Sequence, residues 1–265
     1  MYRPFRTLAA GALLAISLSV PVSAAQVSVN GSPLSSQQGW VEADRSQITL
    51  LSLSQTADCS LSWDGSAATL SGPGFTLTAV PGREYIQVNG RCLYVPGGVQ
   101  CRQGHTVLPL TLLSNALGCS LTWNAATGTA DLDTASARPP QANYNSEDLY
   151  WLSRIISAES RGEPLAGQIA VGNVVLNRVE SSHFPNSVQE VVFDDRYAIQ
   201  FEPVSNGTIY DEPTSSAVLA AKLCLEGANT AGKSLYFFAP ALSAGSWIRS
   251  SRTYCTTIGC HRFYL

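Results

Sequence analysis

Two short motifs recur in the first half of the chain at nearly the same offset, and this repeat strongly limits how the chain can fold. The tripeptide VNG occurs at Val29 and again at Val88. The pentapeptide CSLSW at Cys59 returns as CSLTW at Cys119, and the two offsets differ by a single position. Two independent motifs that share an offset indicate a duplicated unit of about 60 residues. Each unit is predicted to contain a strand ending in an Asn-Gly turn, a short helix such as 109–117, and a strand that starts near the cysteine.

The segment TVLPLTLLSNALGCSLTWNAATGTADL, residues 106–132, has the strand, helix and strand order of this unit. Together with the repeat, it resembles the copper-amine-oxidase-like N-terminal domain, a stalk or spacer module of secreted bacterial proteins. Thr111 stands where that family usually has an arginine after the proline-leucine pair. The family name implies no copper, because His105 is the only histidine of the region and a metal site needs several ligands.

Residues 1–25 have the pattern of a secretory signal. Arg3 and Arg6 precede an apolar run at 8–20, and a small-residue cleavage site follows at 22–25. The run is shorter than a membrane span requires, so we predict cleavage and no stable membrane insertion afterwards. An uncleaved anchor is the alternative. The mature protein is expected to be secreted or associated with the cell wall.

Seven cysteines in a secreted chain favour disulfides over metal thiolates. The odd count leaves at least one cysteine without a partner inside the chain. Equivalent positions in the repeat and short intervening loops suggest three pairs: Cys59–Cys119, Cys92–Cys101 and Cys255–Cys260.

Residues 134–145, TASARPPQANYN, are polar, contain a Pro-Pro pair and show no apolar period. This composition predicts a linker between two domains, 26–133 and 146–265. After the linker the apolar spacing becomes helical. Four helices and one strand are predicted: 146–160 with Ser146 as N-cap, a helix from Pro164, one from Asn186, one at 213–226, and a strand from Ser234. The predicted fold class is α+β, with a β-rich duplicated N-terminal domain and a mainly α C-terminal domain.

The composition argues against two classes of protein. Of the 265 residues, 45% are hydrophobic and 13% are charged, which provides apolar material for packed cores and too little charge for a disordered chain. The formal net charge of -3 gives no basic footprint, so we expect no nucleic acid as a partner. A polymeric sugar is compatible with this charge. The oligomeric state is left open.

Glu159 stands where an apolar residue is expected in the helix predicted at 146–160. At 100° per residue, its side chain falls within about 60° of Leu152, Ile155 and Ile156, so it points toward the buried side. A carboxyl group in apolar surroundings keeps its proton to a higher pH, because burial disfavours the charged form. Such a group can act as a general acid toward a poor leaving group such as a sugar oxygen.

The spacing alone leaves the role of Glu159 open. A structural role would pair its carboxylate with Arg161 or Arg178 inside the fold. Hydrolysis of a glycosidic bond would need a second carboxylate, whereas lytic transglycosylation does not, because a hydroxyl of the substrate attacks and closes an anhydro ring. The sequence offers three candidates for a second carboxylate: Glu163, Glu202 and Asp211.

The stretch ISAESRGEPLAGQIAVGNVVLNRVESSHFPNSVQEVVF, residues 156–193, is similar to the SleB-type cell wall hydrolases, the spore-cortex-lytic enzyme family. The similarity continues, in the same order, through IQFEPV at 199–204, SLYFFAP at 234–240 and IGCHRFY at 258–264. The resemblance implies a lysozyme-like fold and cleavage of peptidoglycan between N-acetylmuramic acid and N-acetylglucosamine by lytic transglycosylation. It implies peptidoglycan glycan strands as the partner, no cofactor and no metal.

The resemblance assigns catalysis to the glutamate of the AESRGE motif, Glu159, with Ser160 standing where the family usually has alanine. It also implies a set of substrate-binding residues, for each of which a structural role is the alternative: Gln200, Phe201, Glu202, Tyr236, His261 and Tyr264. A stalk-like repeat replaces the peptidoglycan-binding domain that often precedes this catalytic domain. Spore cortex and vegetative wall are therefore both open as substrates.

Three other functions fit parts of the sequence. A thiol peptidase or amidase would pair Cys224 with His183 or His261, but Cys224 is predicted mid-helix, where no helix N-terminus stabilises a thiolate. A zinc hydrolase would use the same two histidines, which lack a recognised ligand spacing. A wall-binding protein without activity is the non-enzymatic alternative, and it would release no soluble fragments from peptidoglycan.

Overall fold

The computed structural model of the protein describes residues 26–265. The predicted signal segment, 1–25, lies outside the described residues, and its cleavage stays a prediction. Within the described range, no helix is long and apolar enough to span a bilayer. The protein is of the α+β class, as predicted. Strands dominate residues 26–133, here called the N-terminal region, and helices dominate residues 146–265, the C-terminal region.

The N-terminal region contains thirteen strands and two helices among its described residues, and they form three sheets. The strands are β1 (Gln26–Val29), β2 (Ser32–Pro33), β3 (Gly39–Glu42), β4 (Arg45–Thr49), β5 (Ser60–Trp63), β6 (Ala68–Gly72), β7 (Phe75–Ala79), β8 (Tyr85–Val88), β9 (Arg91–Tyr94), β10 (Gln100–Arg102), β11 (His105–Pro109), β12 (Ser120–Asn124) and β13 (Thr129–Asp133). The helices are α1 (Leu50–Thr56) and α2 (Leu110–Leu117).

The duplicated unit is present as two copies of a strand, a helix and a strand. The elements β4, α1 and β5 form the first copy, and β11, α2 and β12 form the second, with the same offset that separates Cys59 from Cys119. The strands β1 and β8 both end in the predicted Asn-Gly turn. Asn30 and Asn89 have φ angles of 51° and 48°, and the following glycines also have positive φ. Such a two-residue turn requires positive φ at both positions, which asparagine and glycine tolerate.

The strand orders of the three sheets are β12-β13-β1-β2, β10-β11-β4-β3 and β5-β6-β7-β8-β9. Strand β1 runs parallel to β13, with Val27 opposite Ala130, so the first and last strands of the region are neighbours. Alternate side chains of the strands point into one core. Leu70, Leu77 and Ile86 are fully buried there.

The C-terminal region contains helices and one antiparallel sheet of order β14-β16-β15. Its α-helices are α3 (Ser146–Ser160), α4 (Leu165–Val179), α5 (Val188–Val192), α6 (Glu202–Asn206), α7 (Ser215–Leu225) and α8 (Ser246–Ser251). A short 3-10 helix spans Thr208–Tyr210, and the strands are β14 (Tyr236–Phe238), β15 (Tyr254–Ile258) and β16 (His261–Tyr264). The helices predicted near 146, 164, 186 and 213 and the strand predicted near 234 are thus confirmed.

Helices α3, α4 and α7 pack around a second core, and a glycine allows their close approach. A Cβ atom at Gly172 of α4 would lie 2.7 Å from Sγ of Cys224 in α7 and 2.9 Å from Cδ1 of Ile156 in α3. Any larger residue at this position would push the helices apart. This packing fixes the last turn of α3, which carries Glu159.

The N-cap of α3 is Asn145, so the prediction of Ser146 was wrong by one residue. The Oδ1 atom of Asn145 accepts hydrogen bonds from the backbone N–H groups of Glu147 at 2.9 Å and Asp148 at 3.2 Å. An asparagine side chain can satisfy two of the free N–H groups of a first helical turn.

The segment 134–145 runs along the N-terminal region and leads to a contact between the two regions. The backbone N–H of Ala142 donates to the carbonyl of Asn89. Arg91 of β9 forms a buried ion pair with Glu226, next to the end of α7, with a shortest N–O distance of 2.7 Å. The hydroxyl oxygen of Tyr144 accepts a hydrogen bond from the backbone N–H of Cys92.

All seven cysteines lie among the described residues, and each is a free thiol. The expected disulfides are therefore not formed. Cys92 and Cys101 lie in strands of different sheets, β9 and β10. Cys255 lies three residues before Ile258, the end of β15, whereas Cys260 lies in the turn that follows. Along a hairpin this separation is about 10 Å, more than a disulfide can bridge. The pairing of Cys59 with Cys119, expected from the repeat, is also absent.

Candidate active site

A cleft of about 750 Å³ lies in the C-terminal region between the end of α3, helix α6, strand β14 and helix α8. Six of the seven predicted site residues line it: Glu159, Gln200, Phe201, Glu202, Tyr236 and His261. The sequence interpretation did not include Tyr197, which also lines the cleft and is 91% exposed. The only signal in the sequence is that Tyr197 lies two residues before IQFEPV, one of the stretches that resemble the hydrolase family.

Glu159 lies in the last turn of α3 and is partly buried against the apolar side of the helix. Its carboxyl group makes no hydrogen bond or ion pair with any residue of 26–265. Burial raises the pKa of Glu159 to about 7, and the negative charge of Glu202 acts in the same direction. The nearby guanidinium group of Arg178 acts in the opposite direction. Around neutral pH, Glu159 can therefore both hold and release a proton.

The structural alternative for Glu159 was an ion pair with Arg161 or Arg178. The Nε atom of Arg161 donates instead to the carbonyl of Ser157 at 3.3 Å. The Nε atom of Arg178 donates to the carbonyl of Leu235 at 2.8 Å. Neither arginine forms a salt bridge with Glu159, so the pairing that would explain Glu159 as a structural residue is absent from the described structure.

Arg178 is a buried cation in the wall of the cleft, with only 4% of the residue exposed. Its Cζ atom lies 4.9 Å from the ring centroid of Phe184, 5.1 Å from that of Phe201 and 5.6 Å from that of Tyr236. Its NH1 nitrogen has no hydrogen-bond partner within the described chain. Burial lowers the pKa of Arg178 to about 10, so the guanidinium group stays charged at neutral pH.

His261 is buried in the floor of the cleft near a second carboxylate. Its Nδ1 atom lies 3.7 Å from Oε1 of Glu163, and its ring meets that of Phe237 edge to face at 5.3 Å. Burial lowers the pKa of His261, while the charge of Glu163 acts in the opposite direction. The other carboxylate oxygen of Glu163 accepts a hydrogen bond from the backbone N–H of Cys260 at 2.9 Å. Glu163 thus connects the turn after α3 to the terminal hairpin.

The three candidates for a second carboxylate differ in position. Glu202, the first residue of α6, is exposed and lines the cleft. Glu163 is held by Cys260, and neither Glu163 nor Asp211 lines the cleft. Glu202 is therefore the candidate that shares the cleft with Glu159.

The remaining predicted binding residues occupy different parts of the site. Gln200 is partly exposed in the cleft, and its side chain donates a hydrogen bond to the carbonyl of Ala198. Phe201 is only 2% exposed and forms part of the wall. Tyr264 does not line the cleft: it is 5% exposed, and its ring stacks on that of Phe238.

The sites needed for the rival chemistries are not assembled in the described structure. Cys224 is buried in α7, its thiol donates to the carbonyl of Ile169, and burial raises the pKa of that thiol. A thiol held in this way is not a nucleophile at neutral pH. No group of three or more His, Cys, Asp or Glu residues within 26–265 is arranged to hold a metal ion.

Two family models match separate parts of the chain. Residues 162–264 match the family described as Cell Wall Hydrolase, and residues 28–132 match the Copper amine oxidase N-terminal domain. The first match begins just after Glu159, so it does not by itself include that residue.

Several known proteins are similar to the chain. The spore cortex-lytic enzyme of Bacillus cereus is 37% identical over 133 residues, which cover 48% of this chain and 50% of that protein. The cell wall hydrolase CwlJ of Oceanobacillus iheyensis is 30% identical over 103 residues, which cover 37% of this chain and 72% of that protein. The solved catalytic domain of the germination-specific lytic transglycosylase SleB from Bacillus anthracis is 36% identical, with a TM-score of 0.43, and the match covers 48% of this chain and 100% of that one.

The chain spans about half the length, or less, of the spore cortex-lytic enzymes that it matches. Its similarity to the shorter CwlJ protein extends over most of that relative, and the family match covers nearly all of the C-terminal region that forms the cleft. The chain belongs to the cell wall hydrolase family.

Proposed function

We propose that the C-terminal region cleaves the glycan strands of peptidoglycan between N-acetylmuramic acid and N-acetylglucosamine. The proposed reaction is lytic transglycosylation, with Glu159 as the single acid/base. The observation that carries the proposal is the position of Glu159: a carboxyl group without a hydrogen-bond partner among the described residues, in an open cleft, with a pKa raised by burial to about 7. A general acid works best when its pKa lies near the operating pH.

In the proposed reaction Glu159 first donates a proton and later accepts one. Protonated Glu159 donates to the glycosidic oxygen as the bond from that oxygen to C1 of the muramic acid breaks, which releases the N-acetylglucosamine hydroxyl. The C6 hydroxyl of the same muramic acid then attacks C1 and gives its proton to the Glu159 carboxylate. The products are a 1,6-anhydro end and a regenerated acid, and no water is consumed.

The other residues of the cleft would bind and orient the glycan. Gln200 and Glu202 offer polar groups at its edge, and Tyr236 presents an aromatic ring of the kind that stacks on sugar faces. His261 would donate or accept a hydrogen bond from the floor of the cleft, and Phe201 would shape the wall. Tyr264 would act indirectly, by packing under β14.

A hydrolytic outcome is the second candidate, and Glu202 is the observation that favours it. This residue lines the same cleft and is close enough to raise the pKa of Glu159. Glu202 could activate a water molecule, as a base does in an inverting glycosidase. A wall-binding protein without activity is the non-enzymatic alternative.

We also propose that the chain acts as a secreted, two-domain protein. Residues 1–25 would direct export, 26–133 would form a spacer domain, 134–145 a linker and 146–265 the catalytic domain. The similarity of residues 28–132 to the Copper amine oxidase N-terminal domain supports the second of these. The substrate would then be met outside the cytoplasmic membrane, in the vegetative wall or in the spore cortex.

Mass spectrometry of the fragments released from purified peptidoglycan tests the proposal. Vegetative wall and cortex are digested separately with the native protein and with the Glu159→Gln variant. Fragments lighter than hydrolytic products by one water, absent with the variant, are expected. Fully hydrated reducing ends would instead identify a hydrolase, and intact wall and cortex would favour the binding protein.

A further inference from the structure

The cleft that contains Glu159 adjoins a second cavity, here called the side pocket. The side pocket has a volume of about 560 Å³ and shares four lining residues with the cleft: Tyr197, Gln200, Tyr236 and Trp247. These residues form the boundary between the two cavities, so a branch of a ligand lying in the cleft has to pass over them to enter the side pocket. The volume is in the range of sites that hold a small organic group.

A guanidinium group without an acidic partner in the described chain lines the side pocket. Arg252 donates from NH1 to the carbonyl of Ser251 at 3.2 Å and from NH2 to the hydroxyl of Tyr236 at 3.1 Å. Its Nε atom has no hydrogen-bond partner there. None of the salt bridges formed within residues 26–265 involves Arg252. Its positive charge is therefore not neutralised by these residues.

Aromatic rings hold this cation in place, and a second cation lies nearby. The Cζ atom of Arg252 lies 4.6 Å from the ring centroid of Tyr236 and 4.9 Å from that of Trp247. Arg178 is the second guanidinium group near Tyr236, and it also lacks a salt bridge in the described chain. Stacked rings orient a guanidinium group but leave its charge and its in-plane donors available to a ligand.

The one acidic side chain that lines the side pocket among the described residues, that of Asp194, does not pair with Arg252. Asp194 accepts two hydrogen bonds from Arg196, at 2.8 Å from Nε and 2.9 Å from NH2, so its charge is already balanced. Leu265 also lines the side pocket and forms no salt bridge with Arg252. Arg252 is thus a cation between aromatic walls without an acidic partner in the described chain. A neutral sugar ring would leave this charge unmatched, whereas an anionic group would complement it.

We propose that the side pocket binds a carboxylate of the peptide that N-acetylmuramic acid carries through its lactyl group. This inference rests on the proposed function, since it takes the glycan strand to be the ligand of the cleft. The in-plane donors of a guanidinium group match the two oxygens of a carboxylate, and the rings can pack against the apolar part of a peptide. Arg252 is then a specificity residue that favours peptide-bearing glycan over glycan without peptide.

Calorimetry with the Glu159→Gln protein, in which we expect turnover of the ligand to be much slower, tests this inference. The ligands are a disaccharide-tripeptide fragment of peptidoglycan, the same fragment with its carboxylates amidated, and the disaccharide with a free lactyl group and no peptide. A charge-assisted hydrogen bond lost on amidation weakens binding by about ten- to a hundredfold. We expect this loss for the amidated fragment and for the peptide-free disaccharide.

A second substitution tests whether Arg252 is responsible. In the Glu159→Gln protein, adding Arg252→Gln is expected to remove the difference between the fragment and its amidated form. Adding Arg249→Gln, which removes an exposed arginine of α8 outside both cavities, is expected to preserve that difference. A ratio of affinities measured in one protein does not depend on the fraction of that protein which is folded.

Equal affinity for the fragment and its amidated form in the Glu159→Gln protein would overturn the inference. So would a difference that survives Arg252→Gln, or tight binding of the peptide-free disaccharide, which would assign the anion to the lactyl group. Cleavage by the native protein is measured in parallel. Discrimination without cleavage would reject the proposed function and keep the side pocket, whereas cleavage without discrimination would do the reverse.

Discussion

The N-terminal region and the Glu159 cleft each bury an arginine, but they surround it differently. Arg91 is 7% exposed and donates three hydrogen bonds of 2.7 to 3.1 Å to the two carboxylate oxygens of Glu226. Arg178 is 4% exposed, donates one hydrogen bond, to the carbonyl of Leu235, and leaves its NH1 atom without a partner in the described chain. It lies close to Glu159 without forming an ion pair.

The comparison distinguishes charged groups that stabilise the fold, Arg91 and Glu226, from Glu159, a group suited to proton transfer. Breaking a buried ion pair is costly, because the remaining partner keeps an uncompensated charge. The Arg91–Glu226 pair therefore holds the two regions together. An unpaired buried carboxyl group instead reduces the stability of the ionised fold, and the same cost raises its pKa toward the range of a proton donor. Here the paired Arg91 supports the fold, whereas the carboxyl group of Glu159, unpaired among the described residues, is the candidate proton donor.

The largest expected effect is on catalysis. Replacing Glu159 by Gln removes the donated proton but keeps the size of the side chain, so we expect the rate of fragment release to fall by about 10²- to 10⁴-fold. Initial rates on soluble glycan strands measure this effect. Glu147→Gln, which changes an exposed carboxylate at the other end of α3, serves as the control and should keep the native rate. If the Glu159→Gln variant kept more than about a tenth of the native rate, Glu159 would not be the residue that transfers the proton.

The second effect is on stability at the junction. Arg91→Ala leaves Glu226 buried and unpaired, so the free energy of unfolding should fall by about 3–5 kcal/mol. Urea unfolding measures it. The double variant Arg91→Met, Glu226→Leu removes both charges and should recover most of the loss. A loss of unfolding free energy below about 1 kcal/mol in Arg91→Ala would show that this pair does not stabilise the protein. Arg91 and the cleft around Glu159 would then not differ in the way described above.

The third effect has the opposite sign, because Glu159 is expected to cost stability where Arg91 provides it. The folded pKa of Glu159, about 7, lies above its ordinary value of 4.5, so folding favours the protonated form. The stabilising contribution of protonated Glu159 to the free energy of unfolding is fully present below pH 4.5 and is lost as the pH rises to about 7. Glu159→Gln should match the native protein near pH 4 and exceed its unfolding free energy by about 3 kcal/mol at pH 8. Chemical unfolding at the two pH values measures this, and equal stability at both would contradict it.

The smallest effect is on the pH dependence of cleavage. The cleavage rate should fall above pH 7, as Glu159 loses its proton, and this fall is the alkaline limb of the rate profile. The charge of Glu202 raises the pKa of Glu159, so Glu202→Gln should move this limb to lower pH. The charge of Arg178 lowers the same pKa, so Arg178→Met should move the limb to higher pH. Rate profiles between pH 5 and 9 measure both shifts. Shifts in the same direction would show that the two charges do not act through Glu159.

Some of the site follows from local sequence, and some depends on contacts that no local pattern contains. Helical spacing predicts that Glu159 faces the core, because it shares a face with Ile155 and Ile156. The lack of an acidic partner for Arg178 in the described chain could not be predicted in this way, because the residues around Arg178 come from segments distant in sequence. Alternation along a strand accounts for Tyr264: it lies three residues after His261 in β16, so it points to the opposite face of the strand.

The fold shows the same division. The duplicated unit is a local signal that occurs twice, and it correctly predicted a short helix and a following strand near the cysteine in each copy, α1 with β5 and α2 with β12. The disulfides were inferred from the number and spacing of cysteines in a secreted chain. Neither the number nor the spacing determines which cysteines lie close together in the fold. Cys92 and Cys101 flank a short turn-rich loop in sequence, yet their strands belong to different sheets.

Titration of the Glu159 carboxyl group tests most directly whether this group is the proton donor. Carbon-detected NMR of the glutamate side chains follows each carboxyl carbon with pH, and the signal missing from Glu159→Gln identifies the one that matters. We predict a midpoint near pH 7 for this group in the free protein. A midpoint near the ordinary value of 4.5 would show that Glu159 is solvated or paired, and it would contradict the claim that an unpartnered, buried carboxyl group is the proton donor.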